Sequence, residues 1–206
     1  MIEVVYRDND LIVVIKPAGV VSEDGKNSVP ELIREELDVP DAYIGTVHRL
    51  DKGVGGLMVY SLRPDVTPKL INALSSPDAG KEYIALLSGT PEKDEDFLTD
   101  LLYHDRAKNK TYVVARKRAG VKEAKLSYKV KSVDEIGRAT VIIKLYTGRT
   151  HQIRAQFASR GLPIVGDARY GGGKGEVSLF SYKLSFAHPI TQKPMLFERE
   201  HGFSLE

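Results

Sequence analysis

The stretch Val47-His48-Arg49-Leu50-Asp51-Lys52-Gly53-Val54-Gly55-Gly56 sets one acid among cations and glycines. Asp51 has Arg49 and Lys52 within two residues of it. Cations that near favour the ionised carboxylate, and they also bind phosphate. Glycines here let the chain turn tightly and let a ligand or another backbone approach closely. The chemistry on offer is that of a placed carboxylate beside an anion-binding surface. The same residues also suit an ordinary loop aspartate in a turn ahead of a strand.

A second cluster, Thr147-Gly148-Arg149-Thr150-His151-Gln152-Ile153-Arg154, opens a predicted helix just after a strand. Helix N-termini bind anions through free backbone N–H groups, and Arg149 and His151 add donors there. On a helix Thr150 and Arg154 share a face one turn apart. A helix start with solvated charges has the same pattern. A third cluster, Lys81-Glu82-Tyr83-Ile84-Ala85-Leu86-Leu87-Ser88-Gly89, reads as a strand with Lys81, Tyr83 and Ala85 on one face. Read alone, a tyrosine on a core strand is a packing residue with its hydroxyl satisfied at an edge.

The elements that must carry these clusters can be read in outline. Met1–Lys16 is strand, turn, strand, broken by Pro17 and Gly19. A helix is predicted over Ser28–Leu37: Ser28 caps it, Glu31 stands at the capping-box spacing, and Pro40 lies beyond its end. Gly56–Tyr60 reads as a buried strand and Asp65–Leu74 as a helix. Lys81–Ser88, Thr111–Ala115, Ala124–Val133 and Thr140–Tyr146 read as strands, with a turn at Glu135-Ile136-Gly137-Arg138. Thr150–Arg160 is the helix of the second cluster, closed by Gly161 and Pro163, and Leu179–Phe186 is a last core strand. Gly171–Gly175 is a glycine loop without the Lys-Ser/Thr ending of a phosphate-binding P-loop. Strands dominate and helices are irregularly spaced, unlike a doubly wound α/β sheet. The expected class is α+β, a mixed and mainly antiparallel sheet with flanking helices, in one domain over residues 1–206.

Composition narrows the function. No cysteine is present, which excludes disulfides, thiolate zinc sites, iron–sulfur clusters and cysteine nucleophiles, and with them a zinc nucleobase deaminase. The N-terminus lacks the apolar core of a signal peptide, and no apolar run reaches membrane-spanning length. A soluble cytoplasmic protein is expected. Net charge is only +2, but ten Lys or Arg face two acids between His104 and Lys131. That bias suits either an anion-binding face or a solvated strand pair.

Taken together, the motifs resemble the RluA family of pseudouridine synthases. HRLDKGVGG at His48–Gly56, KEYIAL at Lys81–Leu86, GRTHQIR at Gly148–Arg154 and the G-x-P-I-x-G-D-x-x-Y-G run at Gly161–Gly171 keep the family's order and spacing. VIKPAGV near the start and SFAHPIT near the end fit as well. Val54-Gly55 stands where the family often has Thr-Ser, and Leu179-Phe180-Ser181 where a Leu-His-Ala stretch is common. No S4-type module is expected ahead of the catalytic domain.

The resemblance implies the pseudouridine synthase catalytic fold and a role for each matching residue. Asp51 matches the essential aspartate, Tyr83 the tyrosine that contacts the target base, and Arg154 the arginine that pairs with the aspartate. Leu179 matches an apolar residue of the pocket, and Arg49 the arginine that enters RNA where the base leaves it. His48, Lys52, Lys81, Arg149 and His151 are expected to bind RNA. The implied partner is a structured ribosomal or transfer RNA stem-loop, bound by a monomer that uses no metal or cofactor. Alternatives are a non-catalytic RNA-binding protein on the same scaffold, a structural ribosome-associated protein, and a hydrolase using His48, Asp51 and His151. The last lacks a nucleophile motif such as G-x-S-x-G.

Overall fold

The computed structural model describes residues 1–199. In chain order the first elements are β1 (Glu3–Arg7), β2 (Leu11–Lys16), α1 (Val29–Glu36), β3 (Gly45–Thr46), β4 (Gly55–Ser61) and α2 (Thr67–Ser75). Next come β5 (Gly80–Leu86), β6 (Glu95–Asp105), β7 (Lys110–Val113), β8 (Val121–Val133) and β9 (Ala139–Leu145). The chain continues through α3 (Gln152–Ala158), β10 (Leu179–Ala187) and β11 (Pro194–Glu198). Among the described residues it divides into two compact units, one of Met1–Lys81 together with 180–199, the other Glu82–Leu179.

The first unit is a mixed sheet in the order β1-β2-β4-β10-β11. Its one parallel pairing sets Gly55 and Gly56 of β4 beside Phe180 and Ser181 of β10, and the rest is antiparallel. β2 and β4 are nearly continuous apolar runs because both faces are covered. Leu11, Val13, Leu57, Val59, Leu184 and Phe186 pack with Leu70 and Leu74 of α2 on one face. α1 starts as its residues dictate: the Ser28 hydroxyl accepts the Glu31 N–H at 3.2 Å, and the Glu31 carboxylate accepts the Asn27 N–H at 2.6 Å. The reciprocal bond thus falls one residue earlier than in a standard capping box. Burying a leucine such as Leu57 in this core is worth about 2–5 kcal/mol against alanine.

The second unit is an antiparallel sheet in the order β5-β9-β8-β6-β7. α3 packs beside it, with Phe157 edge-on to Tyr128 of β8 at 5.4 Å. Among the described residues a mixed, mainly antiparallel sheet with three helices meets the expected fold class.

Three local findings differ from the sequence reading. β6 was not expected, since Glu95, Asp96, Asp100 and Asp105 disfavour a strand. It forms because Leu98 and Leu102 turn inward, while Glu95 is exposed and Asp100 is held by Gln156 and Arg160. β11, opened by Pro194, also escaped notice; a strand's first residue can dispense with its N–H. α3 begins at Gln152 rather than Thr150, so Thr150 and Arg154 do not share a helical face. His151 ahead of it is left-handed, with φ 53°, and makes no side-chain cap. The helix behind that turn is seven residues long.

Candidate active site

Asp51 lies half-buried in the loop between β3 and β4, and buried groups fix that loop on both sides. On one side the Ser22 hydroxyl accepts the Leu50 N–H at 3.2 Å and donates to the Leu50 carbonyl at 2.8 Å. Ser22 is itself held by Tyr60, whose buried hydroxyl donates to the Ser22 carbonyl at 2.9 Å. On the other side the fully buried ammonium of Lys16 donates to the carbonyls of Lys52 at 3.1 Å, Val54 at 2.7 Å and Pro17 at 3.0 Å. The Lys52 carbonyl also accepts from Gly19 N, and the turn closes from Val54 N to the Asp51 carbonyl at 2.9 Å. Burial pulls the Lys16 amine down to about 8, and the negative charge of Asp51 opposes that fall.

The chain leaves this loop through Gly55 and Gly56. Gly56 has φ 124°, and a Cβ there would sit 2.4 Å from the Ser181 carbonyl oxygen of the parallel strand. Only glycine joins the loop to β4 at that spacing.

The neighbours of Asp51 divide by role. Arg49 is exposed and rests on Glu23 at 3.0 Å, both side chains more than half exposed. Such a pair is worth under about 1 kcal/mol, so Arg49 can leave it at little cost. Lys52 is exposed. His48 is different: its Nε2 accepts the Val59 N–H at 3.0 Å. Burial pushes it down to about 3, and the nearby Lys81 ammonium pushes the same way. His48 is therefore a neutral structural acceptor that fixes the loop on β4, and it brings no cation to an RNA phosphate. Lys81, at the start of β5, is half-buried and lowered by that burial.

In the second unit Tyr83 is buried on β5 opposite Ile143 of β9. Arg154 projects from the first turn of α3. Its Nε and Nη2 donate to the two Asp167 oxygens at 2.7 and 2.9 Å, with both side chains almost wholly buried. Tyr170 backs the guanidinium with its ring 5.0 Å away. The Tyr170 hydroxyl accepts the Thr111 N–H at 2.8 Å and lies 3.0 Å from Nδ1 of His151. This contact, and an edge-on ring packing at 5.7 Å, hold His151 in its left-handed turn. Arg149 donates from Nε to the Glu123 carbonyl, and the Gln152 side chain accepts the Arg149 N–H. Leu179 is buried at the start of β10.

Asp167 and Tyr170 carry no assigned role in the sequence reading, although the Gly166–Gly171 run that contains them was visible. That run is wound tightly: Gly166 N donates to the Gly172 carbonyl, and Tyr170 N and Gly172 N both donate to the Asp167 carbonyl. A Cβ at Gly166 would strike the Glu176 carbonyl. Lys16 and Ser22 were also missed as parts of the site.

One trio has metal-ligand spacing among the described residues: Asp8, Asp10 and His188, with ligand atoms within 4.8 Å of one another. Its hydrogen bonds speak against a metal. Nδ1 of His188 accepts from Ile190 N and Thr191 N, so Nε2 carries the proton and donates to Asp8 at 3.0 Å. No imidazole lone pair is left for an ion.

In the first unit buried groups hold the loop that carries Asp51, and in the second unit Arg154 is clamped by Asp167 and backed by Tyr170. Residues 10–159 match the model of the RNA pseudouridylate synthase family. An uncharacterized RNA pseudouridine synthase of Aquifex aeolicus is 33% identical over 97% of this chain and 69% of its own length. The dual-specificity RNA pseudouridine synthase RluA of Yersinia pestis is 30% identical over 97% of this chain and 99% of its own. The solved structure of human RNA pseudouridylate synthase domain containing 1 superposes with a TM-score of 0.81 at 19% identity, covering 98% and 84% of the two chains. The chain belongs to the RNA pseudouridylate synthase family.

Proposed function

We propose that this chain isomerises specific uridines of structured ribosomal or transfer RNA to pseudouridine, with Asp51 as its catalytic carboxylate. The reaction breaks the N1–C1′ bond and forms a C5–C1′ bond. The proton on C5 is lost to solvent, and N1 gains one. Asp51 serves as nucleophile or as its electrostatic equivalent, by attack at C1′, addition to the base or assisted elimination to a glycal. Tyr83 and Arg154 complete the catalytic set, and Leu179 supplies apolar surface to the base.

The observation that carries this reading is the buried anchoring of the Asp51 loop by Ser22 and Lys16. A solvated loop aspartate needs no buried lysine and serine to hold its backbone. A loop that must present a carboxylate in one place does. The target uridine must leave its stack, which costs a few kcal/mol and least where it is unpaired. Arg49, weakly held by Glu23, is suited to enter the gap left behind. Lys52, Lys81, Arg149 and His151 are assigned to RNA contact. The two units act as one catalytic domain over residues 1–206, as a cytoplasmic monomer. Among the described residues no helix is long and apolar enough to cross a membrane.

The test is tritium release from RNA labelled at C5 of uridine, using RNA from cells that lack the gene. The purified chain is expected to release tritium in step with pseudouridine formed. RNA binding without any release would make it a binding protein on the same scaffold.

A further inference from the structure

Strands β6 and β7 form an antiparallel ribbon at the edge of the second unit's sheet. From Tyr103 to Lys122 the sequence carries seven Lys or Arg and one acid, Asp105. Among the described residues, none of Arg106, Lys108, Lys110, Arg116, Lys117 and Arg118 has a carboxylate within salt-bridge distance. In the neighbouring strand, by contrast, Lys125 pairs with Glu123 and Lys129 with Glu95. A face merely kept soluble would mix both signs.

Aromatic rings alternate with these charges. Tyr103 and Tyr112 are directly opposed across the ribbon and so share a face. The Arg118 guanidinium lies 4.9 Å from the Tyr103 ring, and the Lys110 ammonium 5.7 Å from the Tyr112 ring. Tyr112 is 37% exposed on the edge strand. Rings of this kind stack unpaired bases, while cations beside them follow the phosphates.

The ribbon is also tied to the residues that hold Arg154. Thr111 of β7 donates its N–H to Tyr170 and its hydroxyl to the Thr150 carbonyl at 2.8 Å. Arg169 donates to the carbonyls of Lys108 and Asn109 at the ribbon's tip. A partner gripped here is held in fixed register with Arg154.

We propose that the β6–β7 ribbon and the loop after it form a docking platform for the substrate RNA: Arg106, Lys108 and Arg116–Arg118 contact phosphates, and Tyr112 stacks an unpaired base. This rests on the chain's being an RNA-modifying enzyme and assigns the surface that holds the RNA away from the reacting base.

Binding is read by fluorescence anisotropy across a salt series, using a labelled RNA hairpin with a uridine-containing loop and a fully paired duplex of the same stem. The full chain carries Asp51→Asn so that no turnover interferes. Removing three phosphate contacts in the Arg116→Gln, Lys117→Gln, Arg118→Gln variant is expected to flatten the slope of log affinity against log salt by about 2–3. Tyr112→Ala is expected to weaken hairpin binding about tenfold or more and leave the duplex unchanged, while Tyr112→Phe binds as the parent does. With Asp51 restored, the triple variant should raise KM and keep kcat. Unchanged slope and affinity in a variant that melts as the parent does would overturn the proposal. A changed slope without pseudouridine formation leaves the platform standing and removes the catalytic reading. Normal pseudouridine formation with an unchanged slope does the reverse.

Discussion

Lys16 shows how a single buried charge can serve a loop. An ammonium out of water is costly unless its donors are all met, and here three backbone carbonyls meet them. Lys16→Met would fill the space but strand those carbonyls. The expected result is a loss of about 1–3 kcal/mol in stability, with kcat falling further than KM rises, measured by denaturant melts and steady-state kinetics. His48 makes a different statement. Folded, it stays neutral down to about pH 3; unfolded, it takes a proton near pH 6.5. Its contribution is therefore fully present above pH 6.5 and is lost as pH falls toward 3. The other shifted acids, such as Asp8, Asp24 and Asp134, act only below about pH 4.5. Between pH 6.5 and 4.5 stability should thus decline by up to about 1.4 kcal/mol per unit. His48→Gln, which can still accept the Val59 N–H, should flatten that decline. An equal slope in both proteins would contradict the neutral assignment.

At the scale of elements, the Arg154 clamp shows what local reading reaches and what it does not. The capped start of α1 is legible because Ser28 and Glu31 meet within one turn. The Arg154–Asp167 pair joins α3 to a glycine loop thirteen residues on, and no local rule links them. Lys16 is hidden for a related reason: its partners are backbone carbonyls, which carry no sequence signature. At the end of an apolar run it looks like any solvated strand-end lysine. β6 is hidden because its acids mask an alternation that Leu98 and Leu102 complete. The clamp can be tested directly. Asp167→Ala removes the carboxylate that holds a buried guanidinium and should cost about 3–5 kcal/mol, while Asp167→Asn keeps the shape. The asparagine variant is expected to melt closer to the parent yet lose most of its turnover. Parental turnover in Asp167→Asn would mean that the ion pair serves stability alone.

At the scale of the whole molecule, the order of motifs said more than any one of them. HRLD, KEYIAL, GRTHQIR and the Gly161–Gly171 run are each compatible with a loop, a core strand or a helix start. Their succession carried the family. The division into two compact units was not legible, because no linker or change of composition marks Lys81 or Phe180. The ordering of charge was legible in part: the basic bias between His104 and Lys131 shows in the sequence beneath a net +2, but which of its cations stand apart from acids does not.

The whole proposed reaction turns on the carboxylate of Asp51. Asp51→Asn replaces one carboxylate oxygen by an amide NH2, removes the charge and keeps the loop's anchors. Single-turnover mapping of pseudouridine, run beside RNA-binding titrations of the same preparation, separates chemistry from docking. The expected outcome is no detectable pseudouridine with RNA affinity retained. Pseudouridine forming at the parental rate in Asp51→Asn would contradict it.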